Sequence, residues 1–326
     1  MKLYRSHKEK DNARSVDMAE FVSELCRLSN GIKISEIIPD SNGLIYHYTS
    51  PSGLKGIIEN KTMRFTDRYF LNDFSEGTYI MDLCINKIDI LVPNYEKFKK
   101  ELLKRCSERK VNSQKDDFYV HQCSFSKDED SLALWNYYTK GNNIQGYNLC
   151  FDAQVLYSSL KLESILESGK VPVIWRGDVV YGESEQLVIV KKVVDAFFEL
   201  SEKEEHQHYQ FTIGLLVDKL MLVGIFFKKK CFNIENEYRM VMDLHIDKST
   251  GEFTTINSEQ KFYEKNGFLI PYLDVEFGTE ALKEIRISPT LDLETTKNSI
   301  YRATVKTFPH INKNDFVKQS EIPVRY

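Results

Sequence analysis

The chain has 326 residues, of which 42% are hydrophobic, so it can bury a sizeable core in one large domain or two smaller ones. Its 44 Lys and Arg residues nearly balance its 48 Asp and Glu residues, which gives a formal net charge of -4. This composition excludes extensive disorder and gives no support for general attraction to nucleic acid or to a membrane surface. A local basic groove is compatible with it.

The predicted helices and strands alternate in the first half of the chain. Apolar residues at three- and four-residue steps predict the helices, and alternation with β-branched or aromatic residues predicts the strands. The predicted elements are a helix over 14–29, a strand over 44–50, a helix over 50–61, a strand over 62–70, helices over 76–90 and 95–109, a strand over 116–126, a helix over 130–141 and a strand over 146–152.

The second half begins with one or two strands and a long helical stretch. The predicted elements are one or two strands over 171–182, a helical stretch over 184–229 that is broken near SEKEEHQH, a strand over 231–247, strands over 268–274, 283–290 and 301–308, and a last helix over 291–300. Neither a repeat of fixed period nor a low-complexity linker is present. The sequence therefore predicts an N-terminal helical arm over 1–42 and a single domain over 43–326, with a helical insertion at about 184–229. The predicted fold class is α/β of the α+β type, with mixed, mainly antiparallel central sheets and flanking helices.

The cysteines and the apolar segments bear on the cellular compartment. The six cysteines form no CxxC pair, so we expect reduced buried thiols and neither a zinc site nor a disulfide framework. The N-terminal MKLYRSHKEKDNARS lacks the apolar region of a secretory signal. The longest apolar run, 211–227, carries Asp218 and Lys219 at its centre and is expected to be a buried core helix, since lipid would penalise both charges. We expect a cytoplasmic protein without a membrane span.

His47 is the first candidate site residue. It lies at the end of an apolar strand, before a Thr-Ser-Pro turn that begins a helix, so its imidazole is expected at a sheet edge or a cleft mouth. That position suits contact with a ligand. The alternative is a core histidine that hydrogen-bonds a backbone carbonyl.

Glu237 is the second candidate, within the segment IENEYRMVMDL. A carboxylate among apolar and aromatic neighbours is costly to bury unless it has a partner or a function. Glu235 is two residues earlier on the predicted strand and is expected to face the same side. One carboxylate of such a pair can polarise a hydroxyl while the other stabilises a developing cation. The alternative is a salt bridge between Glu237 and Arg239.

Hydroxyl and aromatic side chains lie between these candidates. Ser124 and Ser126 are separated by one residue on a predicted strand, so both hydroxyls are expected on one face, where they can support a ligand or a catalytic Glu. They are equally compatible with an ordinary strand surface. Trp135, Tyr137 and Tyr138 follow on a predicted helix, where they form either core or a stacking surface for a base or a nicotinamide ring.

A polar turn offers a third possible site. Asp67, Asn72, Asp73 and Glu76 can bind a cation or a substrate hydroxyl, although the spacing is not that of an EF-hand. The alternative is a turn in which Asp73 and Glu76 cap the next helix. His206 and His208 are expected to point to nearly opposite sides of a helix, which argues against a shared metal. The sequence contains no P-loop, GxGxxG, HExxH or GxSxG motif.

The ordered motifs HYTS, FLNDxxE, CSFS, LWxxY, GxxLxF and ExEYR resemble an uncharacterised bacterial domain family that is frequent among accessory and phage-defence genes. The resemblance extends from residue 44 to the C-terminus and includes the KEIRISP segment. It implies no activity by itself.

A more distant resemblance, to the ADP-ribosyltransferase superfamily, is carried by an early strand-His-helix-strand unit, a Ser-x-Ser strand and a late E-x-E strand. It implies central sheets of the ADP-ribosyltransferase type and NAD as a substrate, with no metal. In that superfamily a first-motif His or Arg contacts the NAD ribose, the middle strand supports the nicotinamide pocket, and the last Glu holds a ribose hydroxyl and stabilises an oxocarbenium-like centre. The roles implied here are NAD contacts by His47, Tyr48, Thr49, Ser124, Ser126 and Tyr138, catalysis by Glu237 and acceptor orientation by Glu235. Members with a first-motif His usually carry Tyr where this chain has Ser-x-Ser, and Tyr137 or Tyr138 is available to replace it.

Three hypotheses about function follow. The first is an NAD-dependent ADP-ribosyltransferase-like enzyme, a bacterial toxin or phage-defence effector that modifies nucleic acid or protein. The second is a non-catalytic ligand-sensing or interaction module of a defence system. The third is a metal-dependent nuclease that uses Asp73, Glu76 and Glu237.

Overall fold

The fold is seen in a computed structural model, and its contacts group the chain into two compact units. The described residues are 33–71, 78–112, 118–139, 144–163, 172–203, 209–245, 247, 249–250, 252–254, 256–265, 267–310 and 315–324. The first unit comprises Met1–Ile38, Gly77–Gln114 and Glu183–Phe227, and the second comprises Pro39–Glu76, Lys115–Gly182 and Lys228–Tyr326. The helix predicted over 14–29 lies outside the described residues, and the single-domain organisation stays a prediction.

The helices of the described residues fall in both units. They are α1 (Ile34–Ile37), α2 (Pro51–Asn60), α3 (Tyr79–Asn86), α4 (Ile88–Leu91), α5 (Glu96–Asn112), α6 (Leu132–Tyr138), α7 (Ala153–Ser159), α8 (Glu183–Lys203), α9 (Tyr209–Gly224) and α10 (Leu293–Thr304). Short 3₁₀ turns occupy Arg68–Phe70, Lys230–Glu235 and Thr279–Ala281.

All the strands of the described residues belong to the second unit. They are β1 (Leu44–Thr49), β2 (Thr62–Asp67), β3 (Phe118–Ser126), β4 (Tyr147–Asp152), β5 (Ile174–Asp178), β6 (Glu237–His245), β7 (Lys261–Lys265), β8 (Phe268–Glu276), β9 (Leu282–Ile287) and β10 (Val317–Gln319). Their order is β10-β9-β4-β1-β3-β2-β8-β7, and β6 pairs with both β3 and β5. Because the β9–β10 pair is parallel and the other ladders are antiparallel, the sheet is mixed and mostly antiparallel, as predicted.

The first unit is built from helices in its described residues. Close approach of α9 to α3 requires glycine at position 224, since a Cβ there would lie 2.6 Å from Ile80 Cβ. The predicted buried helix over 211–227 corresponds to α9, which buries Leu216 and Leu220 but leaves Asp218 exposed to pair with Arg109 at 3.6 Å. Within the described residues, no helix is long and apolar enough to cross a membrane.

Strand β3 organises the second unit because it is paired on both edges. It pairs with β6 along its full length, from Phe118 opposite His245 to Ser126 opposite Glu237. Its other edge is shared, because β1 pairs with it at Ser126 while β2 pairs with it at Gln122 and His121. We call the place where β1 and β2 separate, beside residues 123–125, the fork.

The two faces of β3 and β6 differ in chemistry. Alternate residues of these strands, among them Phe125, Tyr238 and Met240, join the main hydrophobic core together with residues of α2, α7 and α10. The opposite face carries Ser126 and Glu237. Alternation along a strand therefore separates the core from the polar face.

Two predicted strands need correction. The segment 231–247 is not one strand, because Asn236 adopts a left-handed backbone conformation (φ 40°) that ends a 3₁₀ turn before β6 begins. The strand predicted over 301–308 is wrong. Helix α10 continues to Thr304, and the burial of Thr296, Ile300 and Thr304 at four-residue spacing gives the helix its buried stripe.

Candidate functional site

A cavity of about 590 Å³, which we call the fork cavity, opens in the second unit. Residues of β1, β2, β3, α6 and β7 line it, together with the first turn of α2. Its volume lies within the roughly 300–1,000 Å³ of small-molecule sites. The residues predicted to form the site all line this cavity, namely His47, Tyr48, Thr49, Ser124, Ser126, Tyr138, Glu235 and Glu237.

The Ser-x-Ser strand and the strand of Glu237 are direct neighbours. Ser126 is paired with Glu237, and Ser124 with Arg239, so these side chains share one face of the sheet. Ser126 Oγ donates a hydrogen bond to the Glu235 carbonyl oxygen at 2.8 Å. The two serines therefore share one face of β3, as the strand period predicts, and lie beside Glu237.

Glu237 is held by two cationic side chains. Arg239 Nε donates to Oε1 and Arg239 Nη2 to Oε2, both at 2.8 Å, while Lys228 Nζ lies 3.3 Å from Oε2. Burial alone would raise the pKa of Glu237, but Arg239, then Lys228 and the Ser124 hydroxyl, outweigh it and lower that pKa to about 2. The carboxylate is thus permanently ionised near neutral pH, and the alternative of a Glu237–Arg239 salt bridge is realised.

Glu235 also contacts Lys228, but it does so from the 3₁₀ turn that precedes β6. The prediction that it faces the same side of a strand as Glu237 is wrong, because it ends the 3₁₀ turn ahead of β6. Lys228 Nζ donates to Glu235 Oε2 at 2.7 Å and so bridges the two carboxylates. Burial raises the pKa of Glu235 despite the opposing charge of Lys228. The two acids therefore differ in basicity, with Glu235 the more basic.

His47 fills the fork between β1 and β2. Its Nδ1 lies 3.1 Å from the Ser124 carbonyl oxygen, so this nitrogen carries the proton. Burial lowers the pKa of His47, although the hydrogen bond with the Ser124 carbonyl acts in the opposite direction. The ring is therefore neutral and carries a lone pair on Nε2. The alternative of a histidine bonded to a backbone carbonyl is thus realised in a residue that also lines the cavity.

The face from which His47 reaches the cavity differs from that of Glu237. Since Tyr46 pairs with Ser126, the next residue of β1 projects to the side of Phe125, and the His47 and Phe125 ring centres are 5.7 Å apart. Glu237 projects to the side of Ser126. His47 therefore enters the cavity through the fork, while the carboxylates enter from the polar face of the sheet.

Helix α6 divides its aromatic residues between core and cavity. Trp135 is fully buried, packs edge-on against Tyr48 with ring centres 4.9 Å apart, and donates from Nε1 to Asp130 at 2.8 Å. Tyr137 and Tyr138 line the cavity and are partly exposed. Trp135 is thus a core residue, whereas a stacking role for Tyr137 and Tyr138 stays a prediction.

Residues 134–240 match the model of a family described as a protein of unknown function, DUF2971. The matched segment runs from α6 into β6 and includes both carboxylates, which agrees with the resemblance to an uncharacterised domain family. No curated protein and no solved structure matches the chain.

Of the predicted polar turn, Asp67 is buried and accepts a hydrogen bond from the Tyr69 N–H at 3.0 Å. The other predicted polar groups lie outside the described residues. They are Asn72, Asp73, Glu76, His206 and His208. In the part of the chain that is described, no group of three or more His, Cys, Asp or Glu side chains is placed to hold a metal ion. A cation site at the Asp73 turn, and the nuclease that depends on it, stay predictions.

Three further residues line the cavity but were not singled out from the sequence. Arg64 and Thr66 project from β2, and Gln122 projects from β3 opposite Thr66. Gln122 precedes Ser124 by one strand period, which is the signal that places it on the polar face. For Arg64 no motif exists, because its place depends on the pairing of β2 with β3 and β8.

Gln122 yields a prediction about stability. It is 3% exposed, its Nε2 donates to Ser124 Oγ at 3.4 Å, and its Oε1 has no hydrogen-bond partner among the described residues. A buried acceptor without a partner costs about 1–3 kcal/mol. We therefore expect Gln122→Met to raise the free energy of unfolding by about 1 kcal/mol, as measured by urea denaturation. Gln210→Met, at an exposed site on α9, is the control, and a destabilised Gln122→Met protein would contradict the prediction.

Proposed function

We propose that this protein transfers ADP-ribose from NAD to a nucleic-acid or protein acceptor, as a bacterial toxin or defence effector. One observation carries the proposal: the strands that bear His47, the two serines and Glu237 are adjacent, in the order β1-β3-β6, and their side chains line one cavity of ligand size. The resemblance of the sequence to ADP-ribosyltransferases supplies the roles.

The reaction requires a carboxylate that stays ionised. When the bond between the ribose C1′ and the nicotinamide nitrogen breaks, nicotinamide leaves with the electron pair and positive charge develops on the ribose. The fixed negative charge of Glu237, whose side chain is buried, stabilises that charge. The acceptor attacks C1′ as nicotinamide departs and loses a proton in the same step, and Glu235 is suited to receive that proton because burial raises its pKa.

His47 is suited to bind a ribose hydroxyl. Its Nδ1 proton is committed to the Ser124 carbonyl, so Nε2 is an acceptor of fixed orientation. The neutral ring adds no positive charge next to the ribose cation. The tautomer thus matches the role that the resemblance implies for this residue.

The test is nicotinamide release from NAD, measured by chromatography with the purified full-length chain and candidate acceptors. We expect Glu235→Gln and His47→Gln each to slow release by about 100-fold or more, because each removes a group that acts on the transition state. Glu59→Gln, an exposed change on α2, is the matched control. Release that is as fast in Glu235→Gln and His47→Gln as in the wild type would reject the assignment.

A second candidate function is a module that binds NAD without turnover. The bidentate contact of Arg239 with both oxygens of Glu237 favours it, because an ion-paired carboxylate stabilises an external cation less strongly. Calorimetric binding of NAD without nicotinamide release would select this alternative. Release that depends on Glu235 would exclude it.

A further inference from the structure

Arg64 is a cationic residue of the fork cavity to which the proposed chemistry gives no role. Its guanidinium carbon lies 4.6 Å from the centre of the Tyr272 ring and 5.6 Å from that of Tyr263, so the two tyrosines hold the guanidinium by cation–π contact. The side chain is nevertheless 47% exposed. The planar donors of an arginine held in this way are preorganised for an oxyanion.

The acidic neighbour of Arg64 is engaged mainly by another residue. Asp274 Oδ2 accepts from Lys261 Nζ at 3.0 Å, whereas Arg64 Nε is 3.9 Å from Asp274 Oδ1. The hydrogen bond with Asp274 also raises the pKa of Lys261. Asp274 is therefore largely neutralised by Lys261, and the charge of Arg64 is available to a ligand.

The first turn of α2 adds a second positive feature beside Arg64. Ser50, Ser52 and Gly53 line the cavity, and the amino end of a helix carries about half a positive charge. A Cβ built on Gly56, three residues after Gly53, would lie 3.8 Å from Arg64 Nη2, so the arginine lies against this face of α2. We call Arg64 and the turn Ser50–Gly53 the Arg64 wall.

Gln122 independently indicates a ligand at this cavity. It lines the cavity next to Thr66, is 3% exposed, and has a side-chain oxygen without a partner among the described residues. Such an acceptor is satisfied by a ligand that brings a hydroxyl or an amide N–H. A ligand suited to both features carries an anionic group and a hydrogen-bond donor.

We propose that the Arg64 wall binds the diphosphate of the dinucleotide, while Gln122 accepts a hydrogen bond from its ribose or carboxamide. This inference rests on the proposed function, because it takes NAD as the ligand. In this arrangement the diphosphate of NAD lies beside β2 and α2, and the ribose that is bonded to nicotinamide lies beside the carboxylates of Glu235 and Glu237. Arg64 is then a binding residue that acts on affinity.

The test compares ligands with and without phosphate, by isothermal titration calorimetry at fixed salt. We expect Arg64→Gln to weaken binding of ADP-ribose and of inorganic diphosphate by about tenfold or more, and to leave binding of nicotinamide unchanged. Arg64→Lys keeps the charge but lacks the planar guanidinium, so the affinity of this variant for ADP-ribose is expected to be intermediate. Arg302→Gln, which removes the same charge from an exposed site on α10, is the matched control.

The outcomes separate this inference from the proposed function. Equal affinity of wild type and Arg64→Gln for ADP-ribose overturns the inference even when nicotinamide is released from NAD. Binding of ADP-ribose and of diphosphate that depends on Arg64, in a wild-type chain that releases no nicotinamide from NAD, upholds the inference and rejects the transferase. A wild-type chain that binds neither ADP-ribose nor diphosphate overturns the inference, and if Arg64→Gln fails to fold, Arg64→Lys decides it.

Discussion

Glu237→Gln is expected to lower the free energy of unfolding by about 3–5 kcal/mol, because removal of one partner from a buried ion pair leaves the other charge uncompensated. Arg239 is fully buried, and the Glu237 carboxylate accepts from both its Nε and its Nη2. Glutamine keeps the shape of the side chain but removes the charge. Urea denaturation at neutral pH measures the loss.

The same ion pair predicts a pH dependence. The pKa of Glu237 is lowered in the folded chain from 4.5 to about 2. Its contribution to stability is therefore fully present above about pH 4.5 and is lost as the pH falls through this interval to about 2. The difference in stability between wild type and Glu237→Gln is expected to shrink over that window, and a difference independent of pH would contradict the ionised pair.

Two further variants identify the source of the loss. Adding Arg239→Met to Glu237→Gln removes the unpaired cation and is expected to restore part of the stability. Glu235→Gln, which also loses a contact with Lys228, is the matched control. Its effect is expected to be smaller, because burial raises the pKa of Glu235 and the charged form is less strongly favoured there. These variants also show whether a loss of activity in Glu237→Gln reflects chemistry or unfolding.

Most elements that position the site could be predicted because their signals are local. Alternation in LIYHYTS predicts β1, and the Ser50-Pro51 start predicts α2, where Ser50 Oγ caps the helix by accepting from the Gly53 N–H. The period of two likewise places Ser124 and Ser126 on one face of β3. These inferences need only the neighbours of a residue along the chain.

What could not be predicted depends on partners distant in sequence. Lys228 follows α9 and becomes the bridge between Glu235 and Glu237, which no sequence period indicates. The fork exists because β3 pairs with β1, β2 and β6 together, a property of the assembled sheet. Strand β7 is short and mostly polar at the sheet edge, so its sequence KFYEK gives a weak signal.

Apart from the Glu237–Arg239 ion pair, the largest loss of stability is expected at Trp135, which packs α6 against β1 beside the cavity. Trp135→Ala removes a fully buried indole, its edge contact with Tyr48 and its hydrogen bond to Asp130. Replacement of a buried aromatic residue by alanine costs about 3–5 kcal/mol. We expect a loss of that size in urea denaturation, since Asp130 Oδ1 also loses one of its donors.

Trp135→Phe and Leu132→Ala separate the contributions of this anchor. Phenylalanine keeps most of the apolar surface but removes the Nε1 donor, so a loss of about 1–3 kcal/mol is expected from the missing hydrogen bond to the Asp130 carboxylate, whose Oδ1 keeps the Ser320 Oγ donor. Leu132 is 41% exposed on the same helix, and its replacement is expected to change stability by no more than about 0.5 kcal/mol. Because Tyr137 and Tyr138 reach the cavity from α6, Trp135→Phe is also expected to weaken NAD binding while the chain stays folded. Unchanged NAD affinity in that folded variant would show that the α6 tyrosines do not need this anchor to form the cavity.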